Sequence, residues 1–173
     1  MPKEDIKYKL SYFELNEWLR GFVDGEGCFQ ITVRKDRLST FRFVFKIKLH
    51  KDDRPLLEYL STRIKVGQVY PKDTSIENVS STWEVAKKAD LLKLIEIFDK
   101  HPLNTTKYLD YLSWREAFFI YQRMDKASVN HISVIDSILA IKGQMNEKRV
   151  SFLLPTDHKI NITPYWLLGF IEG

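Results

Sequence analysis

Leu19-Arg20-Gly21-Phe22-Val23-Asp24-Gly25-Glu26-Gly27 is the stretch on which the reading of this chain turns. Leu15, Trp18, Leu19, Phe22 and Val23 recur at helical spacing, which predicts a helix over Asn16–Asp24. The helix stops at glycines and hands over to a strand that begins Cys28-Phe29-Gln30. Glu26 therefore stands at a helix end between two glycines, where backbone can come close to another backbone or to a ligand. A glutamate there is slightly unfavourable with the helix dipole, and a single copy reads as a surface cap. The chain nearly repeats the stretch at its end, as Leu167-Leu168-Gly169-Phe170-Ile171-Glu172-Gly173. It stops one residue short of the place where a counterpart of Glu26 is expected.

The repeat changes the weight of the carboxylate. Two helices with Gly21 and Gly169 on their contact faces can cross backbone to backbone. Side by side and parallel, they deliver their C-terminal carboxylates to one point. Two carboxylates with glycine carbonyls nearby form an oxygen-rich site for a hard divalent cation, Mg2+ above all, with Mn2+ or Ca2+ able to substitute in binding. Such ions serve phosphodiester hydrolysis.

Outward from Gly27, Phe29, Ile31 and Val33 alternate with Cys28, Gln30, Thr32 and Arg34, the pattern of a half-buried strand. A turn is expected at Asp36-Arg37-Leu38-Ser39. A second strand then places Phe41, Phe43, Phe45, Ile47 and Leu49 inward and Arg42, Val44, Lys46 and Lys48 outward. Arg34, Arg42, Lys46 and Lys48 all hold the outward register, which suits either a solvated sheet face or a ribbon laid in a DNA major groove. In the groove, Arg and Lys face guanine edges and phosphates, while Gln30, Thr32 and Thr40 add hydrogen bonds. Strands near Gly67–Tyr70 and Val79–Val85, separated by Lys72-Asp73-Thr74-Ser75, extend the register with Gln68, Tyr70, Lys72, Ser80, Thr82 and Glu84. That distribution favours a long groove over a compact pocket.

Helices are expected from Asp52-Asp53-Arg54-Pro55 to Ile64, over Ala89–Lys100, over Thr106–Arg123 and over Asn130–Gln144. The apolar set of the last is Ile132, Ile135, Ile138, Leu139 and Ile141. Tyr108, Tyr111, Trp114, Phe118 and Phe119 read as core, and Leu103–Thr106 as structure. An irregular linker follows, and Thr163 with Pro164 opens a fresh helix. The order is that of an α+β protein: an αββαββα unit with additional C-terminal helices, then the first helix of another unit. The expected division is 1–147, a linker at 148–163, and 164–173.

The 173 residues suffice for one buried core, and 44% hydrophobic with 13% aromatic residues indicates a globular chain. Lys and Arg number 27 against 23 Asp and Glu, a net charge of +4 that is compatible with a polyanionic partner. A lone cysteine, Cys28, excludes an intramolecular disulfide and suits a reducing compartment. No apolar run approaches the about 20 residues of a membrane span. Met1-Pro2-Lys3-Glu4-Asp5 has no apolar signal core, so a protein that works in an organelle is expected to be made there. His50, His101, His131 and His158 lack metal-ligand spacing and are expected as caps or surface groups. Cys28 has no histidine in local reach and is not read as a nucleophile.

Both glycine-containing strings resemble the motif of the LAGLIDADG homing endonucleases, and Leu19–Gly27 matches it over its full length. The strand-rich order and the string His101-Pro102-Leu103-Asn104-Thr105-Thr106-Lys107-Tyr108-Leu109-Asp110-Tyr111 are similar to the two-motif, intron-encoded branch. The resemblance implies that an antiparallel four-stranded sheet forms a saddle over a long double-stranded target of about two helical turns, one per half. It implies that Glu26 is the metal-binding acid, that Gly25 offers its carbonyl with Gly173 as its counterpart, and that Asp24 is structural. Lys107 falls where relatives often carry a lysine near the scissile phosphates. Lys46 lies on the strand passing the active site, where relatives often have glutamine, and ranks below Lys107 as a catalytic residue. Cys28, Gln30, Thr32, Arg34, Thr40, Arg42, Val44, Lys46, Lys48, Gln68, Tyr70, Lys72, Ser80, Thr82 and Glu84 match the DNA-reading surface. The function implied is metal-dependent cleavage of both DNA strands, in a mitochondrion or chloroplast whose genome encodes the protein. The alternatives are a maturase that binds its own intron RNA and a cleavage-inactive DNA-binding half. The missing second half is expected as a continuation or a separate chain.

Overall fold

The computed structural model describes residues 10–34, 37–73, 78–125 and 127–173. Met1–Asp5, Asp36 and the Thr74-Ser75 pair lie outside the described residues. Helix α1 spans Tyr12–Glu26, longer at both ends than its apolar spacing predicts. Its start is set by polar groups that periodicity does not register. Ser11 Oγ accepts from Glu14 N at 3.2 Å while Glu14 Oε2 accepts from Ser11 N at 2.7 Å, a reciprocal capping box. Strand β1 (Gly27–Arg34) follows at once, then β2 (Arg37–His50). Arg37–Ser39, expected in a turn, belong to β2.

A short 3-10 turn at Lys51–Asp53 leads into α2 (Arg54–Ile64), with Pro55 in its first turn where a missing N–H costs nothing. Lys65 ends α2 in the left-handed region at φ 59°, and Gly67 at φ 69° turns the chain into β3 (Gln68–Tyr70). Next come β4 (Ser80–Val85), α3 (Lys88–Lys100), α4 (Lys107–Arg123), α5 (His131–Lys142), a 3-10 turn at Asn146–Lys148, and α6 (Pro164–Glu172). The strands form one sheet in the order β1-β2-β4-β3, with β4 antiparallel to both of its neighbours. This is the αββαββα arrangement with added helices that the sequence predicts.

By their internal contacts the residues divide into two compact units. The first holds Met1–Cys28, Phe45–Asn104 and Ile160–Gly173. Within it Leu19, Phe22, Phe45, Ile47, Trp83 and Phe98 are fully buried. Phe45 meets Trp83 at 5.7 Å and Phe98 at 5.9 Å between ring centroids, and the indole N–H of Trp83 donates to Val66 O at 3.0 Å.

The second unit holds Phe29–Val44 and Thr105–Lys159. Its core is aromatic: Phe29 packs on Tyr111 and Trp114, and Phe43 on Trp114 and Phe118. Trp114 also donates to Gln30 O at 3.2 Å, which ties β1 to α4. Of the aromatic set, Tyr108 and Phe119 are only half-buried; Tyr108 stacks on His158 and Phe119 lies under the Arg115 guanidinium. The apolar set expected of α5 does not all turn inward. Ile138 is buried, but Ile132 is 61% exposed and Leu139 is 40% exposed. A helix that packs chiefly on one neighbour, α4, can bury only a narrow stripe. The last turn of this unit is pinned by Arg149, whose Nε donates to Asp110 Oδ1 at 2.9 Å.

Candidate active site and nucleic-acid interface

The site in the first unit is built on the pairing of α1 with α6. A Cβ on Gly21 would lie 2.0 Å from the carbonyl oxygen of Trp166, and one on Gly169 would lie 2.0 Å from that of Trp18. Only glycine permits so close a crossing. Gly25 faces Gly173, and a Cβ on Gly173 would fall 3.1 Å from Glu26 Cγ. The contacts run in the same order along both helices, so the pair is parallel and its C-terminal ends meet at Glu26 and Gly173.

The helix partners are joined by a buried polar network. Arg20 and Glu17, respectively 2% and 4% exposed, form a two-pronged ion pair at 3.0 and 2.7 Å. Arg20 also donates to the carbonyls of Pro102 and Asn161. Glu17 accepts from the Thr163 hydroxyl at 2.8 Å and lies 2.6 Å from His101 Nδ1. Burial opposes its ionisation, but hydrogen bonds from Arg20, His101 and Thr163, with the Arg20 charge, outweigh burial and hold its carboxyl at about 2. His101, expected as a cap or surface group, does end α3 as its C-cap, and its ring is also a partner of a buried acid. Thr163 also caps α6, accepting from Trp166 N at 3.1 Å. Asn104 and Asn161 exchange two bonds, Asn104 Nδ2 to Asn161 O at 2.8 Å and Asn161 N to Asn104 Oδ1 at 2.9 Å. The start of α6 is therefore held by α1 and by the segment after α3.

Asp24 is 5% exposed. Its Oδ2 accepts from Asn104 N at 2.8 Å and from Trp166 Nε1 at 2.7 Å. Glu26, two residues on, is only half-buried. With Lys48, Leu49, His50, Val79, Ser80 and Gly173 it lines an open cleft. His50 Nδ1 caps the 3-10 turn by accepting from Asp52 N, at 3.4 Å, as its expected role requires.

Strand register sets the candidate DNA-reading residues of this unit in rows. Gln68, Glu84 and Lys46 are successive Cα partners across β3, β4 and β2; Tyr70, Thr82 and Lys48 form the next row, and Ser80 pairs with His50. Tyr70 and the Lys72 beyond it are exposed, and Cys28 is half-buried. Lys46 is not among the residues that line the Glu26 cleft; Lys48 is. In the second unit, Thr32, Arg34 and Arg42 are exposed, and Gln30 and Thr40 are half-buried. Val44 is 2% exposed, so its place in the outward register does not make it a surface residue. Lys107 opens α4 in the second unit, with its N–H donating to Thr105 Oγ1 at 3.3 Å.

Sequence reasoning missed Lys48 and His50 as neighbours of Glu26, because strand alternation gives the face but not the register along it. It also missed the tryptophan that precedes each glycine string. Trp18 and Trp166 occupy the same place before Leu19 and Leu167, and that coincidence was the available signal.

The chain belongs to the LAGLIDADG endonuclease family, whose sequence profile matches residues 19–118. It is 30% identical over 165 residues to the "Probable intron-encoded endonuclease Cox1-I1b" of Schizosaccharomyces pombe, covering 94% of this chain and 41% of that protein. It is 31% identical to the "Uncharacterized mitochondrial protein RF1" of Saccharomyces cerevisiae, covering 99% of this chain and 34% of that one. The chain thus spans less than half the length of these curated relatives. Among solved structures, the LAGLIDADG meganuclease I-AabMI bound to uncleaved DNA superposes with a TM-score of 0.71 at 27% identity, over 90% of this chain and 55% of that one.

Among the described residues no group of three His, Cys, Asp or Glu side chains could hold a metal ion. The donors at the helix junction are one carboxylate, Glu26, and the glycine backbone around it. That set suits a hard cation that takes a few protein oxygens and completes its shell with substrate and water. It does not suit a closed, all-protein site.

Proposed function

We propose that this chain supplies one half of a site-specific DNA endonuclease that hydrolyses both strands of a long duplex target. The residues divide for this purpose into the half itself (1–147), a linker (148–163) and the first helix of the second half (164–173). The observation that carries the reading is the convergence of Glu26 and Gly173 at the end of the α1–α6 pair, in a cleft shared with Lys48 and His50.

Glu26 and the Gly25 carbonyl hold a divalent cation, with Mg2+ the fitting choice, and a second acid following Gly173 completes the arrangement. The cation supplies electrostatic stabilisation of the charge that develops on a scissile phosphate. Lys48, on the wall of the same cleft, adds positive charge beside that phosphate. Lys107, at the start of α4, is a further catalytic candidate by its match to the lysine of relatives. Gln68, Tyr70, Lys72, Ser80, Thr82, Glu84, Lys46 and Lys48 read DNA from the first unit; Gln30, Thr32, Arg34, Thr40 and Arg42 do so from the second. Arg and Lys at these positions suit guanine edges and phosphates, and Glu84 suits a cytosine amino group. Asp24 keeps the helix ends in place and does not touch the reacting atoms.

The exposed apolar residues of α6, Leu167 at 45% and Ile171 at 71%, support a second half that packs there. A mitochondrial location accords with the relatives, which lend the chloroplast alternative no support. The test is a plasmid carrying the intron insertion site, incubated with the full-length protein and Mg2+. Linearisation by the wild type, lost in Glu26→Gln with target binding retained, is the expected result. Tight binding of intron RNA with no cutting of DNA would replace this reading with a maturase.

A further inference from the structure

Gly21 and Gly169 allow α1 and α6 to touch, but a contact between bare backbones does little to choose one axial register over another. Two hydrogen bonds across the contact do choose. Trp18 Nε1 donates to Glu172 Oε2 at 3.1 Å, and Trp166 Nε1 donates to Asp24 Oδ2 at 2.7 Å. Each tryptophan lies three residues before its own glycine, and each acid three residues after it. Each indole stacks on the phenylalanine one turn ahead in its own helix. Trp18 stacks on Phe22 at 4.8 Å and 18°, and Trp166 on Phe170 at 5.0 Å and 11°. Both indoles are almost fully buried, at 1% and 6% exposed.

We propose that Trp18 and Trp166 are positioning residues that form a cross-brace, fixing the register of the helix pair and through it the approach of Glu26 to the second motif. The two bonds are diagonals of opposite slope between parallel helices. Sliding α6 forward stretches the Trp18–Glu172 diagonal, and sliding it back stretches the Trp166–Asp24 diagonal. A slip of one residue, about 1.5 Å of helix rise, takes a bond of this length outside hydrogen-bonding range. Loss of either diagonal leaves motion in one direction opposed by the bonds of Thr163 and Asn161 at the start of α6, far from Glu26.

The inference rests on the proposed endonuclease reading for its consequence in catalysis, and on geometry alone for the brace. Two measurements on the full-length protein keep these apart. In 15N-edited NMR of the indole N–H groups, Glu172→Gln is expected to move the Trp18 signal and not that of Trp166, and Asp24→Asn the reverse. Indole signals that ignore their acids would overturn the brace whether or not the protein cuts DNA. In single-turnover cleavage, Trp166→Phe keeps the stacked ring and loses only the donor. The rate is expected to fall about ten- to a hundredfold, as a misplaced reacting group does, with a higher Mg2+ requirement and unchanged target affinity. Trp83→Phe is the control, since it removes another buried indole bond, to Val66 O, away from the helix pair. Equal losses of rate in the two variants, or none in Trp166→Phe, would overturn the positioning role. A wild type that cuts nothing while the NMR signals respond as expected would refute the endonuclease reading and leave the brace intact.

Discussion

α1 and α6 carry nearly the same string and live in different surroundings. In α1, Leu19, Phe22 and Val23 are 0% exposed; in α6 the matching Leu167, Phe170 and Ile171 are 45%, 39% and 71% exposed. Yet the mutual face is alike in both: glycine against carbonyl, tryptophan stacked on phenylalanine, indole bonded to the partner's acid. The string therefore encodes the contact between the helices. What covers the rest of each helix comes from outside the string, and α1 has far more of that cover than α6.

The largest break in this comparison comes from the charge network that only α1 carries. Arg20→Met leaves the buried Glu17 without its main partner, and unfolding in urea should show a loss of about 3–5 kcal/mol. Pairing it with Glu17→Leu should recover much of that loss, because no orphaned charge remains. Next are the glycines. Gly21→Ala and Gly169→Ala each force a Cβ onto a carbonyl oxygen, and each should destabilise by about 1–3 kcal/mol or more. Equal effects are expected from a reciprocal contact; a much milder Gly169→Ala would mean that α6 can move aside.

The helix starts sharpen the comparison on a smaller scale. Thr163→Ala loses both the cap of α6 and the bond to Glu17, and should cost about 2 kcal/mol. Ser11→Ala loses only the capping box of α1, and should cost about 1 kcal/mol in the same assay. Acid gives the gentlest probe. The Glu17 carboxyl is lowered from 4.5 to about 2, so its contribution is complete above 4.5. That contribution fades as the pH falls toward about 2 and protonation sets in. A pH series of thermal midpoints should therefore show an acid limb that Glu17→Gln flattens.

Much of this fold was legible because apolar alternation reports burial directly. Phe41, Phe43, Phe45 and Ile47 announced β2, and Tyr70, Thr82 and Lys48, all expected in the outward register, share one row. The glycine pair was legible because it occurs twice. The start of α1 is legible only in its polar residues: Ser11 and Glu14 stand at capping-box spacing, which apolar periodicity does not register. The ion partner of the His101 ring was not legible, because Glu17 is remote in sequence and itself looks like a surface residue on an amphipathic helix. Val44 fails for a related reason: alternation assigns a face, and burial depends on what lies over that face.

The segment between α5 and α6 is fastened at each end within a different unit, by Arg149 to Asp110 and by Asn161 to Asn104 and Arg20. Between those fastenings Val150 and Leu153 are 93% and 85% exposed, with no helix or strand from 149 to 163. Such a stretch is an open substrate for a protease, yet a cut there would release nothing at once. α6 would stay seated through its glycine contact and the Glu17–Thr163 bond, now as a noncovalent guest. The covalent tether thus raises the local concentration of α6 beside α1.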